Sequence, residues 1–179
     1  MSKYFKQKNG GFTLIETLVA VSIFTVSILG LFAVLTEGIS STIYARQKII
    51  ASYLAQEGIE YVRNIRDTYV LYYDDTSQEG WDRFKVVMNP CNATNGCGFD
   101  TVFPHDVFVC GGSNNCRLSI SDGSYSTNSG DDSGFIRQVW MTTTESNLNE
   151  VRIFSKVEWT QGSGSYNITF SENLFNWVE

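Results

Sequence analysis

The longest uncharged stretch of the sequence runs from Thr17 to Thr36, over 20 residues. At ~1.5 Å per residue, a helix of this length spans about 30 Å, the thickness of the hydrocarbon core of a bilayer. Glu37 follows the stretch, whereas residues 1–11 contain no acid and three lysines, Lys3, Lys6 and Lys8. The positive charge before the stretch predicts a single membrane crossing with the N-terminus in the cytoplasm and the rest outside.

A secretory signal peptide is the main alternative for this stretch. Such a signal has an apolar region of about 7–15 residues followed by a small-x-small cleavage site. The stretch here is longer, and residues 34–38 (VLTEG) offer no such site. The sequence therefore predicts that the apolar segment stays in the protein.

Apolar residues continue at helical spacing beyond the uncharged stretch. They occur at intervals of 4, 7, 4, 7 and 4 residues and fall within a stripe about 80° wide: Ile39, Ile43, Ile50, Leu54, Tyr61 and Ile65. This pattern predicts one helix from about Phe12 to Arg66, roughly 80 Å long, whose second half packs on a globular domain. Gly38 and Gly58 each weaken it by about 1 kcal/mol relative to Ala. Glu57 and Glu60 are interpreted as surface charges.

The C-terminal part alternates between apolar and polar residues with the period of a strand. Residues 151–159 and 166–170 alternate in this way, and the turn Gln161-Gly162-Ser163-Gly164 joins them into a hairpin. Residues 135–143 predict a preceding strand, joined through a loop at 145–149, which completes a three-stranded meander. Short strands are predicted at 107–109 and 118–120. The fold class predicted is therefore α+β, a long N-terminal helix packed on an antiparallel sheet.

The region between helix and meander is less regular. Residues 69–73 predict a short strand or a packed loop, and Trp81 and Phe84 are apolar anchors. Residues 121–134 are poor in apolar side chains and predict a mobile, solvated loop. Asp122, Asp131 and Asp132 could offer oxygen ligands to calcium there, but the ordered spacing of a calcium loop is absent. No metal site is predicted.

The four cysteines form two C-x5-C pairs in the part predicted to lie outside the cytoplasm, where disulfides are the expected state. They are Cys91, Cys97, Cys110 and Cys116. Each local pair is worth roughly 2.4 kcal/mol by chain entropy, and a Cys91–Cys116 bridge roughly 3.5 kcal/mol. This difference does not decide among the three connectivities. The turn-forming residues inside both short loops favour the local pairs slightly.

Composition narrows the functional classes. The formal net charge is −6, which argues against nucleic-acid binding, because phosphates require clustered Lys and Arg. The 12 Phe, 9 Tyr and 4 Trp argue against disorder. His105 is the only histidine, and no hydrolase, metalloprotease or phosphate-binding motif is present. The sequence predicts no enzyme and no cofactor.

One residue does not fit a simple membrane anchor. Glu16 lies at the start of the apolar segment, and a carboxylate deep in a bilayer costs about 3 kcal/mol. An opposite charge about 4 Å away returns ~4 kcal/mol at an effective dielectric constant near 20. If the chain were cut between Gly11 and Phe12, the new α-amino group would supply that charge. Alternatively, Glu16 sits at the membrane interface, where the positive end of the helix dipole favours it.

Residues 9–16, Asn-Gly-Gly-Phe-Thr-Leu-Ile-Glu, follow a lysine-rich leader and precede an apolar helix. This combination resembles the class III signal of type IV prepilins and pseudopilins, most like the minor members of that family. The resemblance implies cleavage after Gly11 by a prepilin peptidase and N-methylation of Phe12. It also implies that Glu16 pairs with the N-terminus of a neighbouring subunit. Loss of three lysines would change the net charge to −6 − 3 = −9.

The resulting hypothesis divides the chain into four parts: a leader at 1–11, a transmembrane and assembly segment at 12–36, an amphipathic helix at 37–67 and an extracytoplasmic β-rich head at 68–179. The chain would be a minor pilin or pseudopilin of a type IV pilus, a type II secretion pseudopilus or a competence pilus. Its partners would be other pilin subunits, the prepilin peptidase, the inner-membrane assembly machinery and the membrane, without nucleic acid. The alternatives are a pilus-displayed adhesin and a single-pass surface protein that does not polymerise.

Overall fold

The computed structural model of the protein describes residues 10–72, 76–100, 106–111, 116–128, 130–144 and 147–176. Within these residues, two helices, one 3-10 helix and seven strands follow one another: α1 (Leu14–Tyr72), α2 (Ser77–Val87), the 3-10 helix Asn89–Asn92, β1 (Cys97–Phe99), β2 (Val107–Val109), β3 (Arg117–Ser121), β4 (Ser124–Ser126), β5 (Asp131–Thr144), β6 (Asn147–Gln161) and β7 (Gly164–Phe175). These elements confirm the predicted α+β class. The chain divides into two units, of which the first ends at Tyr44 and the second begins at Ala45.

The first unit contains the N-terminal part of α1, and its apolar side chains are open to the surroundings. Apart from Ile28, which is half-buried, the large apolar residues from Phe12 to Leu35 are between 50% and 83% exposed. α1 is long and apolar enough to cross a membrane in this part. Ile39 and Ile43, predicted to face a core, are 62% and 46% exposed. That prediction was wrong, because the buried face of α1 is formed only by residues of the second unit.

The second unit is built around a seven-stranded antiparallel sheet. β5 is its central strand, with β6 along one edge and β3 and β1 on the other. β7 pairs with β6, β2 with β1, and β4 with β3. The β5–β6–β7 meander and the strands at 107–109 and 118–120 are confirmed. One face of the sheet packs on the part of α1 that follows Ala45, through Leu54, Ile59, Val62 and Ile65, each at most 6% exposed.

Gly58 is the point at which α1 approaches the sheet most tightly. A β-carbon at this position would collide with Oγ of Ser155 on β6 and would lie 3.1 Å from its Cβ. Ser155 is fully buried, so it has no solvent-filled space into which it can move. The glycine that weakens the helix is therefore required by helix–sheet packing.

We expect Gly58→Ala to lower the stability of the protein by about 1–3 kcal/mol, because overpacking outweighs the gain of about 1 kcal/mol in helix propensity. Gly38→Ala is the matched control, since a β-carbon there meets nothing within 4 Å. Urea unfolding of the full chain in detergent measures both effects. Adding Ser155→Ala to Gly58→Ala should recover part of the loss. Equal stability of the two single variants would contradict this account of the packing.

A buried arginine joins α1 to the centre of the sheet. The side chain of Arg137 on β5 is 2% exposed, and its Nη1 lies 2.6 Å from Oε2 of Glu57 on α1. The guanidinium also lies 4.3 Å from the ring centroid of Phe99, which stacks on Tyr61. Burial lowers the pKa of Arg137, partly offset by the negative charge of Glu57. Glu57, whose side chain is 39% exposed, thus lies at the surface of α1 and pairs with a guanidinium that is buried.

Residues 69–72 belong to α1, so the predicted strand or loop at 69–73 was wrong, and residue 73 lies outside the described residues. The helix α2 was not predicted, although Thr76-Ser77-Gln78-Glu79 has the pattern of a capping box and Thr76 does accept a hydrogen bond from the backbone N–H of Glu79. The predicted anchors Trp81 and Phe84 lie in α2 and are fully buried.

The stretch 121–134 is mostly strand, and its interpretation as a mobile loop was wrong. β3 turns back into β4 through Asp122 and Gly123, which have φ values of 51° and 80°. An Asp-Gly pair is typical of such a turn, so this dipeptide was the signal that sequence analysis missed. β5 starts at Asp131, and β6 starts at Asn147, which shortens the predicted 145–149 loop.

Candidate functional site

The start of α1 contains the residues that the sequence singled out. Thr13 caps the helix: its Oγ1 accepts a hydrogen bond from the backbone N–H of Glu16 at 3.3 Å, and its carbonyl accepts one at 3.1 Å. Thr-x-x-Glu at a helix start is the pattern of a capping box. Glu16 lies in the first turn, where the helix dipole favours a negative charge.

Hydroxyl groups in the apolar part of α1 are satisfied within the helix itself. Each donates to a backbone carbonyl of the preceding turn: Thr17, Ser22, Thr25, Ser27 and Thr36. Such bonds allow these residues to lie in hydrocarbon without unpaired polar groups. Among the described residues of the segment 12–36, the carboxylate of Glu16 is the one polar side-chain group that has no hydrogen-bond or ion-pair partner.

The peptide bond between Gly11 and Phe12 precedes the helix and is exposed. Gly11 is outside any helix or strand, and a β-carbon at Gly10 or Gly11 would meet nothing within 4 Å. Phe12 is 82% exposed. The structure thus places Gly11, Phe12 and Glu16 within six consecutive residues at one accessible end of α1. Lys3, Lys6 and Lys8 of the predicted leader lie outside the described residues.

Both disulfides are local. Cys91 is bonded to Cys97 and Cys110 to Cys116, and the structure describes no free cysteine. The first bridge fastens the 3-10 helix to β1 inside the hydrophobic core, with both cysteines fully buried. The second joins the end of β2 to the start of β3. The disulfides therefore have a structural role in the head and are not reactive groups.

The acidic residues of the stretch 121–134 do not assemble into a cation site. Asp132 pairs with Arg117 at 2.8 Å and accepts the backbone N–H of Gly134 at 2.9 Å. These two contacts lower the pKa of Asp132, the backbone bond contributing most. Within the part of the chain that the structure describes, no group of three or more His, Cys, Asp or Glu side chains is arranged to hold a metal. His105 lies outside that part.

A family model described as the prokaryotic N-terminal methylation motif matches residues 6–32. The match includes the end of the leader, Gly11, Phe12, Glu16 and most of the apolar segment 12–36. Comparisons with curated proteins and with solved structures give no match for the chain.

The motif match and the exposed apolar helix agree, because the matched residues include the start of the segment that is long and apolar enough to cross a membrane. Residues 6–32 thus form a type IV prepilin-like N-terminal signal, which supports a membrane-anchored, pilin-like subunit that is processed by a prepilin peptidase and assembles with other pilin subunits.

Proposed function

We propose that this protein is a minor pilin or pseudopilin, a structural subunit of a type IV pilus-like filament. The prepilin peptidase cuts it after Gly11 and methylates the new N-terminus at Phe12. The N-terminal segment 12–36 first anchors the protein in the inner membrane, with the head outside, and later packs among the helices of other subunits. Assembly machinery in the inner membrane moves the subunit from the first state to the second.

The observation that carries the proposal is the unpaired carboxylate of Glu16 in an otherwise satisfied apolar helix. A charge in hydrocarbon is costly unless an opposite charge accompanies it. Cleavage after Gly11 creates an ammonium group only four residues away in sequence. Pairing of Glu16 with this group on a neighbouring subunit neutralises both charges and fixes how far one helix is displaced along the next.

Deletion of the gene, followed by scoring of protein secretion, DNA uptake and twitching motility, tests the proposed function. We expect the loss of one of these activities and its recovery when the intact chain is supplied. Antibody detection of the chain in sheared filaments, compared with the membrane fraction, tests incorporation directly. Wild-type activities in the deletion strain together with absence from sheared filaments would contradict the proposal and favour a surface protein that does not polymerise.

We expect Gly11→Leu to block cleavage, because a peptidase pocket that accepts glycine has no space for a branched side chain. The substitution leaves the fold intact, since a side chain at position 11 has open space around it. Gly10→Leu is the matched control, being equally exposed but one residue from the cut. Intact-mass measurement should show residues 1–11 retained only in Gly11→Leu. Normal cleavage of Gly11→Leu would show that the cut lies elsewhere.

A second candidate function is a binding module displayed on the filament. It is favoured by a depression of about 280 Å³ on the head, where Gly134 leaves space over β5 and polar side chains form part of the lining: Arg117, Glu158, Thr160, Ser165 and Asn167. Loss of surface adhesion by Glu158→Ala and Asn167→Ala, with filament incorporation preserved, would support this role. Unchanged adhesion would exclude this depression as the binding site.

A further inference from the structure

β7 is the long edge strand of the sheet. Its 12 residues pair with β6 alone, from Gln161↔Gly164 to Glu150↔Phe175, without a register shift. The other strands that pair on one side only, β2 and β4, have three residues each. We propose that the free edge of β7 receives an extended strand from the head of a different subunit of the same filament. The proposal rests on the proposed function.

The hairpin register determines which backbone groups of β7 face outward. The two-residue turn Gly162–Ser163 makes Gln161 and Gly164 a hydrogen-bonded pair, and bonded pairs then recur at every second residue. Even-numbered residues of β7 therefore bond to β6. Two hydrogen bonds at the end of β7 agree with this alternation. The N–H of the even-numbered Asn176 donates to the carbonyl of Asn149 on β6, whereas the carbonyl of the odd-numbered Phe175 points away from β6 and accepts from Arg66 of α1.

The outward groups thus belong to the odd-numbered residues Ser165, Asn167, Thr169, Ser171 and Asn173. All five residues are exposed. No hydrogen bond from any described residue reaches their outward N–H or carbonyl groups. Together they present five donors and five acceptors in a row about 30 Å long, at ~3.4 Å per residue.

The usual protections of an edge strand are missing from β7. Soluble proteins block such edges with lysine, proline, bulges or inward-pointing charges. β7 contains no lysine, arginine or proline, and its one charge, Glu172, pairs with Arg63 of α1 at 2.5 Å. The five outward residues are uncharged. A neutral, regular and unprotected edge is the type that binds an added strand.

The direction of α1 argues against a second copy of the chain paired antiparallel along this edge. Successive residues of α1 lie beside successive residues of β7: Arg63 bonds Glu172, and Arg66 bonds Phe175. The two elements therefore run in the same direction. Antiparallel pairing of two β7 edges would reverse one α1 relative to the other, whereas subunits of one filament need their N-terminal helices to point the same way. An antiparallel second copy is therefore excluded, and the proposal assigns the edge to a neutral edge strand of another pilin-like subunit.

Thr169 at the middle of the edge provides the test. Thr169→Pro removes one outward N–H without touching the β6–β7 bonds, and Thr169→Lys adds a protective charge. Thr142→Lys is the matched control, because Thr142 is exposed on β5, which β6 separates from the β7 edge. The full-length variants are expressed with all other subunits, and thermal unfolding in detergent, N-terminal cleavage and the amount in sheared filaments are measured.

We expect all three variants to fold and be cleaved normally. Both Thr169 variants should reach sheared filaments at a level about tenfold below that of wild type. The free-energy change that corresponds to a tenfold loss is small compared with that of several lost hydrogen bonds. Thr142→Lys should match wild type. Hydrogen exchange should show slower exchange in filaments than in detergent at the odd-numbered amides of β7 and unchanged exchange at the even-numbered ones.

Wild-type incorporation of both Thr169 variants, or equal exchange of the odd-numbered amides in the two states, would overturn the edge proposal. If the wild-type chain itself were uncleaved and missing from filaments, the proposed function would be wrong instead. The two failures are therefore separate results of the same experiment.

Discussion

Glu16→Gln is expected to reduce the amount of the protein in sheared filaments by about 100-fold while leaving its insertion into the membrane unchanged. The lost ion pair is worth ~4 kcal/mol at an effective dielectric constant near 20, and a 100-fold change needs only about 2.8 kcal/mol. Insertion does not suffer, because removing a charge makes burial in lipid easier. Fractionation of membranes and sheared filaments measures both effects.

Glutamine is the informative replacement because it retains the alternative role of Glu16. Gln can still take part in a capping box, so helix capping survives while the charge is lost. Thr13→Val makes the opposite change: it removes the hydroxyl that accepts the N–H of Glu16 and leaves the carboxylate. It should cost about 1 kcal/mol of helix stability and little incorporation. Glu37→Gln, at another exposed acid of α1, controls for net charge.

If Glu16 acts only at the membrane interface through capping and the helix dipole, the order of effects reverses. Thr13→Val would then impair the protein more than Glu16→Gln, and Glu16→Gln would assemble normally. The comparison of the two variants therefore separates the explanations that the sequence left open.

Arg137→Ala is expected to lower the free energy of unfolding of the head by about 3–5 kcal/mol. The substitution opens a cavity between α1 and β5 and removes the cation from a region that also contains the buried Asp100, 1% exposed. Arg137→Lys should lose less stability, since it keeps the positive charge. It should still lose some, because lysine lacks the planar fork that contacts both Glu57 and Phe99. Urea unfolding of the full chain in detergent, followed by tryptophan fluorescence, gives the values.

Arg63→Ala is the control for Arg137→Ala. Arg63 also joins α1 to the sheet through an ion pair, but its side chain is 36% exposed, so we expect a loss of about 1 kcal/mol or less. Equal losses for the two arginines would contradict the view that burial makes Arg137 the stronger link.

Much of the fold follows from patterns that the sequence displays directly. The uncharged stretch predicts the apolar part of α1, and the Gln161–Gly164 turn predicts the β6–β7 hairpin. Two of the elements that were missed, β1 and β4, are only three residues long and show no such pattern within the strand. β4 is made of Ser124, Tyr125 and Ser126 and depends on backbone pairing with β3, while β1 is buried at all three positions and shows no alternation.

Arg137 illustrates a signal that was available in the sequence. It occupies a core-facing position of the predicted strand 135–143, in register with Phe135 and Val139. A charge at such a position requires a partner, but the sequence cannot show that Glu57, 80 residues earlier, supplies it. The start of α1 is different. Gly11, Phe12 and Glu16 lie within six consecutive residues, so their grouping needs no fold, whereas the partner that we propose for Glu16 belongs to another molecule.

The central claim is that a new amino group at Phe12 accompanies the Glu16 carboxylate in the filament. Mass spectrometry of the N-terminal peptide, from protein recovered by shearing, tests it most directly. We predict a peptide that begins at Phe12, lacks residues 1–11 and carries one methyl group on its α-nitrogen. Filament-derived protein that still begins with the lysine-bearing leader would contradict the claim.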